Sequence, residues 1–289
     1  MIFDQVSAVT SPVVTAVVLK EARRLLLDEY GGANAAYSLR ALSSAWRDQD
    51  VVEVRRASDD TTRGFTADDI GDGTLTNWVG TGATDHGYVS TWYDQSGNGN
   101  NAVQSATSAQ PKIVDAGSLL VDGNGKPKLT FNGSTQLFET SVIPPNDATL
   151  IGVANWDVQA VTTLLVGARD STNQRSYIGQ TSSGVIAIGV GASVRGGASV
   201  TAGTDYLLFG VHSGSTRLIS TNGTPASDNL GSAPNNTTYG YSIGAFNDAG
   251  IDRSFMDGSL SEIIIYDSDQ SAFRTGIEGN INTEYNIYP

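Results

Sequence analysis

The sequence predicts a mainly-β fold, a sandwich or jelly roll, on three observations. From about residue 50 onward, apolar and polar residues alternate with period two, the mark of strands that bury one face. The alternating runs are short and numerous, and convincing helical patterning is confined to the two ends. Between the runs lie clusters of Gly, Asn, Asp, Ser and Pro, with 33 glycines in 289 residues. Such residues accept the backbone angles that tight turns require.

The elements follow in chain order. Val17, Val18, Ala22, Leu25 and Leu26 recur at roughly helical spacing, with Lys20, Glu21, Arg23 and Arg24 between them, and Gly31 and Gly32 should end that helix. Ala35, Ala36, Leu39, Leu42 and Trp46 predict a second short amphipathic helix, with Arg40 and Arg47 on its wet face. Val52 and Val54 then alternate with Glu53 and Arg55 in a half-buried strand, where Arg55 and Arg56 are expected to straddle a sheet edge. Further strands are predicted over 87–93, 128–131, 149–156, 163–168, 177–179, 185–190, 205–211, 216–220, 241–246 and 258–266. DGNGKP at 122–127, SGST at 213–216 and TNGTP at 221–225 supply turns. Phe273, Ile277 and Ile281, four residues apart, predict a closing helix packed on the outside of the sandwich.

Charge and composition bound the partners. Thirty acidic against 17 basic side chains give a formal charge of −13. Phosphate backbones and anionic membranes repel such a chain, so neither nucleic acid nor membrane is an expected partner, while neutral sugars, cations and protein surfaces stay open. Cysteine is absent, which rules out disulfides, thiolate nucleophiles and cysteine-held zinc. No apolar run is long enough for a membrane-spanning helix. Asp4 stands where a secretory leader would carry Lys or Arg, so synthesis without export is expected.

Particular stretches sharpen the fold. AAYSLRALSSAW (35–46), VVEVRRASDD (51–60), Gly64-Phe65, YVSTWYDQSGNGNNAVQ (88–104) and AQPKIV (109–114), in that order, resemble the arabinofuranosidase B catalytic domain and its relatives in phage structural proteins. FNGSTQLF (131–138) resembles the start of their second half, and GSLSEIIIYD (258–267) the last strand of LamG-like domains. The resemblance covers roughly residues 25–289. It implies a concanavalin A-like (LamG-type) jelly-roll sandwich with a short N-terminal helical or extended arm and a C-terminal helix. The arm would be residues 1–30 and the sandwich 31–289. For the enzyme members it implies retaining hydrolysis of arabinofuranosides by two carboxylates, in a pocket that also carries adjacent cysteines. Here cysteine is missing and no stretch matches the catalytic carboxylates, so the fold is expected to carry over and the activity is not.

The loop WYDQSGNGNN (92–101) is the most specific part of the resemblance, and three readings of it stay open. It is a structural corner if Asp94 accepts backbone N–H groups while Gly97 and Gly99 take left-handed conformations. It is a calcium site if Asp94, Asn98 or Asn100 cluster their oxygens on a hard cation. It is a sugar platform if Trp92 or Tyr93 stacks on a ring, although strand alternation should turn one of the two into the core. Glu139, Asp157, Asp170 and Glu262 lie beside apolar β segments, where burial would raise a carboxyl pKa. The two histidines, His86 and His212, offer neither a nucleophile elbow nor an evident metal pair.

Residues 1–24 precede the resemblance. SPVVTAVVLK (11–20) is apolar and too short to bury itself, so it is expected to dock on its own sandwich or on a partner subunit. Val13, Val14, Val17, Val18, Leu25 and Leu26 are the expected assembly residues.

The functional expectation is a non-enzymatic phage virion structural protein: a capsid decoration, fibre or tail-associated component, assembled in the bacterial host cytoplasm. Its expected partners are other virion proteins, through the arm, further copies of itself (a trimer being one arrangement) and host-surface glycans. No cofactor is expected, calcium being the one cation the loop would suit. The rival expectations are a retaining, two-carboxylate arabinofuranosidase-like glycoside hydrolase and a calcium-dependent lectin.

Overall fold

A computed structural model of the chain describes residues 24–171, 174–191, 193–229 and 237–289. It is a β-sandwich. One antiparallel sheet runs, in spatial order, Ala35–Ser38, Asp257–Tyr266, Ala148–Trp156, Asp205–Ser213, Thr216–Thr221 and Thr224–Asn229. The other begins with Thr62–Thr66, Asp50–Arg56 and Gly87–Trp92. It passes through the short strands Ala102–Val103, Phe138–Glu139 and Ser242–Ile243, then continues as Thr163–Ser171, Gln174–Gln180, Val185–Val190 and Ser193–Ser199. Lys112–Asp115 and Leu129–Asn132 link Gly87–Trp92 to the start of Asp257–Tyr266, joining the two sheets.

Alternation assigns the side chains of the first sheet to two layers. Leu150, Leu208, Ile263 and Ile265 point inward and meet Val54, Trp92, Ile178 and Ile188 of the second sheet in one core. Their neighbours Ile151, Leu207, Phe209, Ile264 and Tyr266 point the other way, under Ile277, Ile281 and Tyr285 of the helix Arg274–Tyr285. A fully buried Ile or Leu in either layer contributes about 2 kcal/mol of hydrophobic stabilisation. The closing helix packs outside the sandwich as the sequence predicts, although Phe273 at its start is 54 % exposed.

Several expectations need correction. The helix predicted from Ala35 to Trp46 is the strand Ala35–Ser38 followed by a loop and a single 3-10 turn at Ser44–Trp46. Both faces of that strand are buried, so its apolar residues show no period of two. Arg40, expected on a wet face, is instead tucked against Glu262: its Nε and Nη2 donate to the carboxylate at 2.8 and 3.0 Å, where Ser38 and Tyr285 hydroxyls also donate. Arg55 and Arg56 lie on a strand paired on both sides, not on an edge. Their guanidiniums cover the Tyr88 and Trp78 rings.

Among the expected assembly residues, Leu26 is buried beneath the closing helix of its own sandwich, so it belongs to this core and not to a free arm. Leu25 is half-buried beside it. Val13, Val14, Val17 and Val18 lie outside the described residues.

The strand predicted over 241–246 is two strands, Ser242–Ile243 and Phe246–Asp248, interrupted at Gly244. Gly244 has φ +77°, and a Cβ there would stand 2.4 Å from the Phe131 ring. That break turns the chain into the hairpin Phe246–Asp248 to Ile251–Arg253, which forms one wall of the site described next.

Candidate functional site

The 92–101 loop is a structural corner. Asp94 is buried, and its Oδ1 accepts the amides of Ala36 and Ser96, each at 2.9 Å. Its Oδ2 accepts the Ser96 hydroxyl at 2.8 Å and the Asn100 amide at 2.9 Å. Gln95 accepts from the Leu42 amide and donates to the carbonyls of Ser38 and Arg40. Asn98 and Asn100 donate to the Asn34 carbonyl, and the Asn100 Oδ1 accepts from Ser141. Gly97 and Gly99 have φ of +92° and +75°. The loop thus staples residues 33–42 to the second sheet, and a cation on Asp94 would have to displace four donors. No group of three or more acidic or histidine side chains stands together as a metal cluster among the described residues.

Of the two rings proposed as a sugar platform, Trp92 is fully buried against Tyr37 and Phe138, which corrects its candidacy. Tyr93 is half-buried and remains accessible.

The histidines stand apart. His86 faces Asp115 across 2.9 Å. His212 is fully buried; its Nδ1 lies 3.0 Å from the Asn146 carbonyl and its Nε2 3.2 Å from the Ser176 hydroxyl. A carbonyl only accepts, so Nδ1 carries the proton, Nε2 accepts from Ser176, and Ser176 accepts from Tyr241 at 2.7 Å. Burial pushes the His212 pKa down to about 4, so the chain of hydrogen bonds is neutral.

The pocket with the most developed chemistry lies elsewhere, on Thr163–Ser171, Gln174–Gln180 and the hairpin ending at Arg253. It encloses about 280 Å³. Its floor is Leu164, Tyr177 and Phe246, the two rings meeting edge to face at 5.6 Å. Glycines permit that floor: a Cβ on Gly189 would lie 2.1 Å from the Tyr177 ring, and one on Gly167 would lie 2.7 Å from Phe246. Arg169, Arg175 and Arg253 form the walls.

Pairing brings those arginines together. Arg169 stands directly opposite Arg175, and Arg253 opposite Phe246. The Arg169 and Arg175 guanidiniums sit 5.2 and 5.5 Å from the Phe246 and Tyr177 ring centres. Behind them Asp248 accepts from Nε and Nη2 of Arg169 and pairs with Nε of Arg253 at 2.9 Å. The Arg169 guanidinium, seconded by Arg253, holds the Asp248 carboxyl below the usual carboxylate range.

None of Glu139, Asp157, Asp170 and Glu262 lines this pocket. Glu139 and Asp157 are exposed. For Asp170 the expected upward shift is reversed: burial raises the carboxyl, but Thr237 and Thr238 donate to it and bring it below its ordinary value. The pocket residues were invisible in the sequence because their convergence depends on strand register. The one signal available was arginine recurring in otherwise apolar strands.

No family model matches the chain, and no curated protein sequence matches it. Its structure is similar to a GH54 α-L-arabinofuranosidase soaked with a cyclic sulfate inhibitor, with a TM-score of 0.64 and 17 % identity. It is also similar to an arabinofuranosidase complexed with arabinofuranosyl-α-1,2-xylobiose, with a TM-score of 0.58 and 17 % identity. Both matches cover 86 % of this chain and 62 % of the other, so the chain spans less than two thirds of those proteins' length. The sandwich fold implied by the sequence resemblance is the fold found; identity this low speaks to the fold alone.

Proposed function

We propose that this chain is a non-enzymatic, lectin-like sandwich that holds a glycan in the arginine–aromatic pocket. The observation that carries the proposal is the state of Asp248. Retaining hydrolysis needs two carboxylates about 5 Å apart, one free to attack and one able to hold a proton. Asp248 has its oxygens engaged by Arg169 and Arg253 and is held ionised, and no acidic residue is among the pocket's lining residues. What remains is a floor of two rings beneath hydroxyl, amide and guanidinium groups, the composition of a binding site.

The setting we propose is a phage virion, as a capsid decoration, fibre or tail-associated protein. The resemblance of residues 88–104 to domains of phage structural proteins supports it, as does the apolar 11–20 segment as an assembly arm. A glycan array probed with the intact chain, in parallel with incubation on an aryl arabinofuranoside, tests the proposal. Retention on some glycans without turnover is the expected result. Turnover abolished by replacing a single carboxylate, or retention on no glycan, refutes it.

A further inference from the structure

We propose that the arginine-walled pocket selects a sugar bearing a carboxylate, such as a uronic acid residue of an acidic polysaccharide, over the matching neutral sugar. The inference rests on the glycan-binding reading above and adds the ligand's charge.

Arg169 and Arg175 face each other directly across an antiparallel pair. Like charges in that relation destabilise a sheet, and such local conflicts mark positions kept for function. The hairpin then adds Arg253 from a third strand. Among the described residues, Asp248 is the carboxylate that pairs with Arg169 and Arg253, while the Arg175 Nε donates to the Gly191 carbonyl at 2.7 Å. The other acids nearby in sequence turn elsewhere: Asp252 accepts from Ser242, and Asp170 binds Thr237 and Thr238.

The arginines are also held in place. Asp248 grips the inner edge of Arg169 and the Nε of Arg253, and the rings of Phe246 and Tyr177 support the Arg169 and Arg175 planes. A fixed planar fork loses little freedom when it binds a carboxylate through two parallel hydrogen bonds. Arg253 is 58 % exposed, which leaves its outer edge at the pocket mouth. Thr162, Thr181, Ser182 and Ser254 supply hydroxyls suited to a sugar's own. A space of about 280 Å³ suits one monosaccharide unit.

The test is calorimetric titration of the full chain with matched pairs, galactose against galacturonate and glucose against glucuronate, at low and high salt. A uronate is expected to bind at least about tenfold more tightly than its neutral partner, the scale of one charge-assisted contact. That advantage should shrink with salt and disappear in Arg253→Gln, a change at an exposed side chain. Arg253→Lys, which keeps the charge without the fork, should restore only part of it. Equal binding of acidic and neutral sugars, unaffected by Arg253→Gln, overturns the charge selection while leaving the glycan reading standing. Binding of no sugar at all overturns both. Acetate matching the uronates in affinity also overturns the inference, because the sugar would then add nothing.

Discussion

Replacing Asp94 tests the structural reading of the loop most sharply. In Asp94→Asn the amide oxygen can keep the Ala36 and Ser96 amides, which lie at 2.9 Å from Oδ1. The new NH₂ then faces the Asn100 N–H, now 2.9 Å from Oδ2, and sets donor against donor. One lost charge-assisted bond and one unsatisfied donor cost about 2–3 kcal/mol. Asp94→Ala removes the acceptor for all four donors, including the amide of the buried residue Ala36. Water can reach the Asn100 side of the loop, so the expected cost is about 3–5 kcal/mol rather than the sum of four bonds. Urea unfolding should show the midpoint falling with an unchanged slope. An alanine variant within about 0.5 kcal/mol of the parent refutes the corner as described. So does a parent whose midpoint falls on chelation and rises with added calcium, because Asp94 would then be a metal ligand.

Two further outcomes are expected. His212 is neutral and buried with a pKa near 4 against an ordinary 6.5. As pH falls below 6.5 the unfolded chain takes up a proton that the folded chain refuses, so stability should decline down to about pH 4 by roughly 3 kcal/mol. Urea midpoints across that range check it, and a His212→Phe variant that keeps the same slope refutes it. Deletion of residues 1–23, which spares the buried Leu26, should leave the fold intact and convert an oligomer into a monomer by light scattering. The same mass with and without the segment removes the assembly role.

How much was legible follows from how each element is stabilised. The strands 149–156, 185–190, 205–211 and 258–266 are dense in apolar residues and were placed nearly to the residue. Ser193–Ser199 and Thr224–Asn229 were missed because their sequences, SVRGGAS and TPASDN, read as turn. Backbone pairing with Val185–Val190 and Thr216–Thr221 holds them as strands. The false helix at 35–46 arose from Ala35, Ala36, Leu39 and Leu42, which share a helical spacing although they divide between two cores on opposite faces of a sheet. In the site, Asp94's role was legible because Asx corners are local chemistry. The arginine pocket was not, since Arg169 meets the Asp248–Arg253 hairpin only through the long-range register of Thr163–Ser171 with Phe246–Asp248.

The formal charge of −13 argues against anionic partners, yet the pocket favours one, and distance reconciles the two. At physiological ionic strength a charge is largely screened beyond about 8 Å. Acidic side chains spread over a 289-residue surface therefore set solubility and long-range encounter, not the affinity of a ligand already seated between guanidiniums. At the pocket wall Asp248 is committed to orienting Arg169 and Arg253. The same contacts that hold the Asp248 carboxyl low engage both of its oxygens and leave it no proton to donate. They also present rigid N–H edges to whatever enters. On the proposed reading, the sign of the pocket, not that of the chain, decides which sugar it holds.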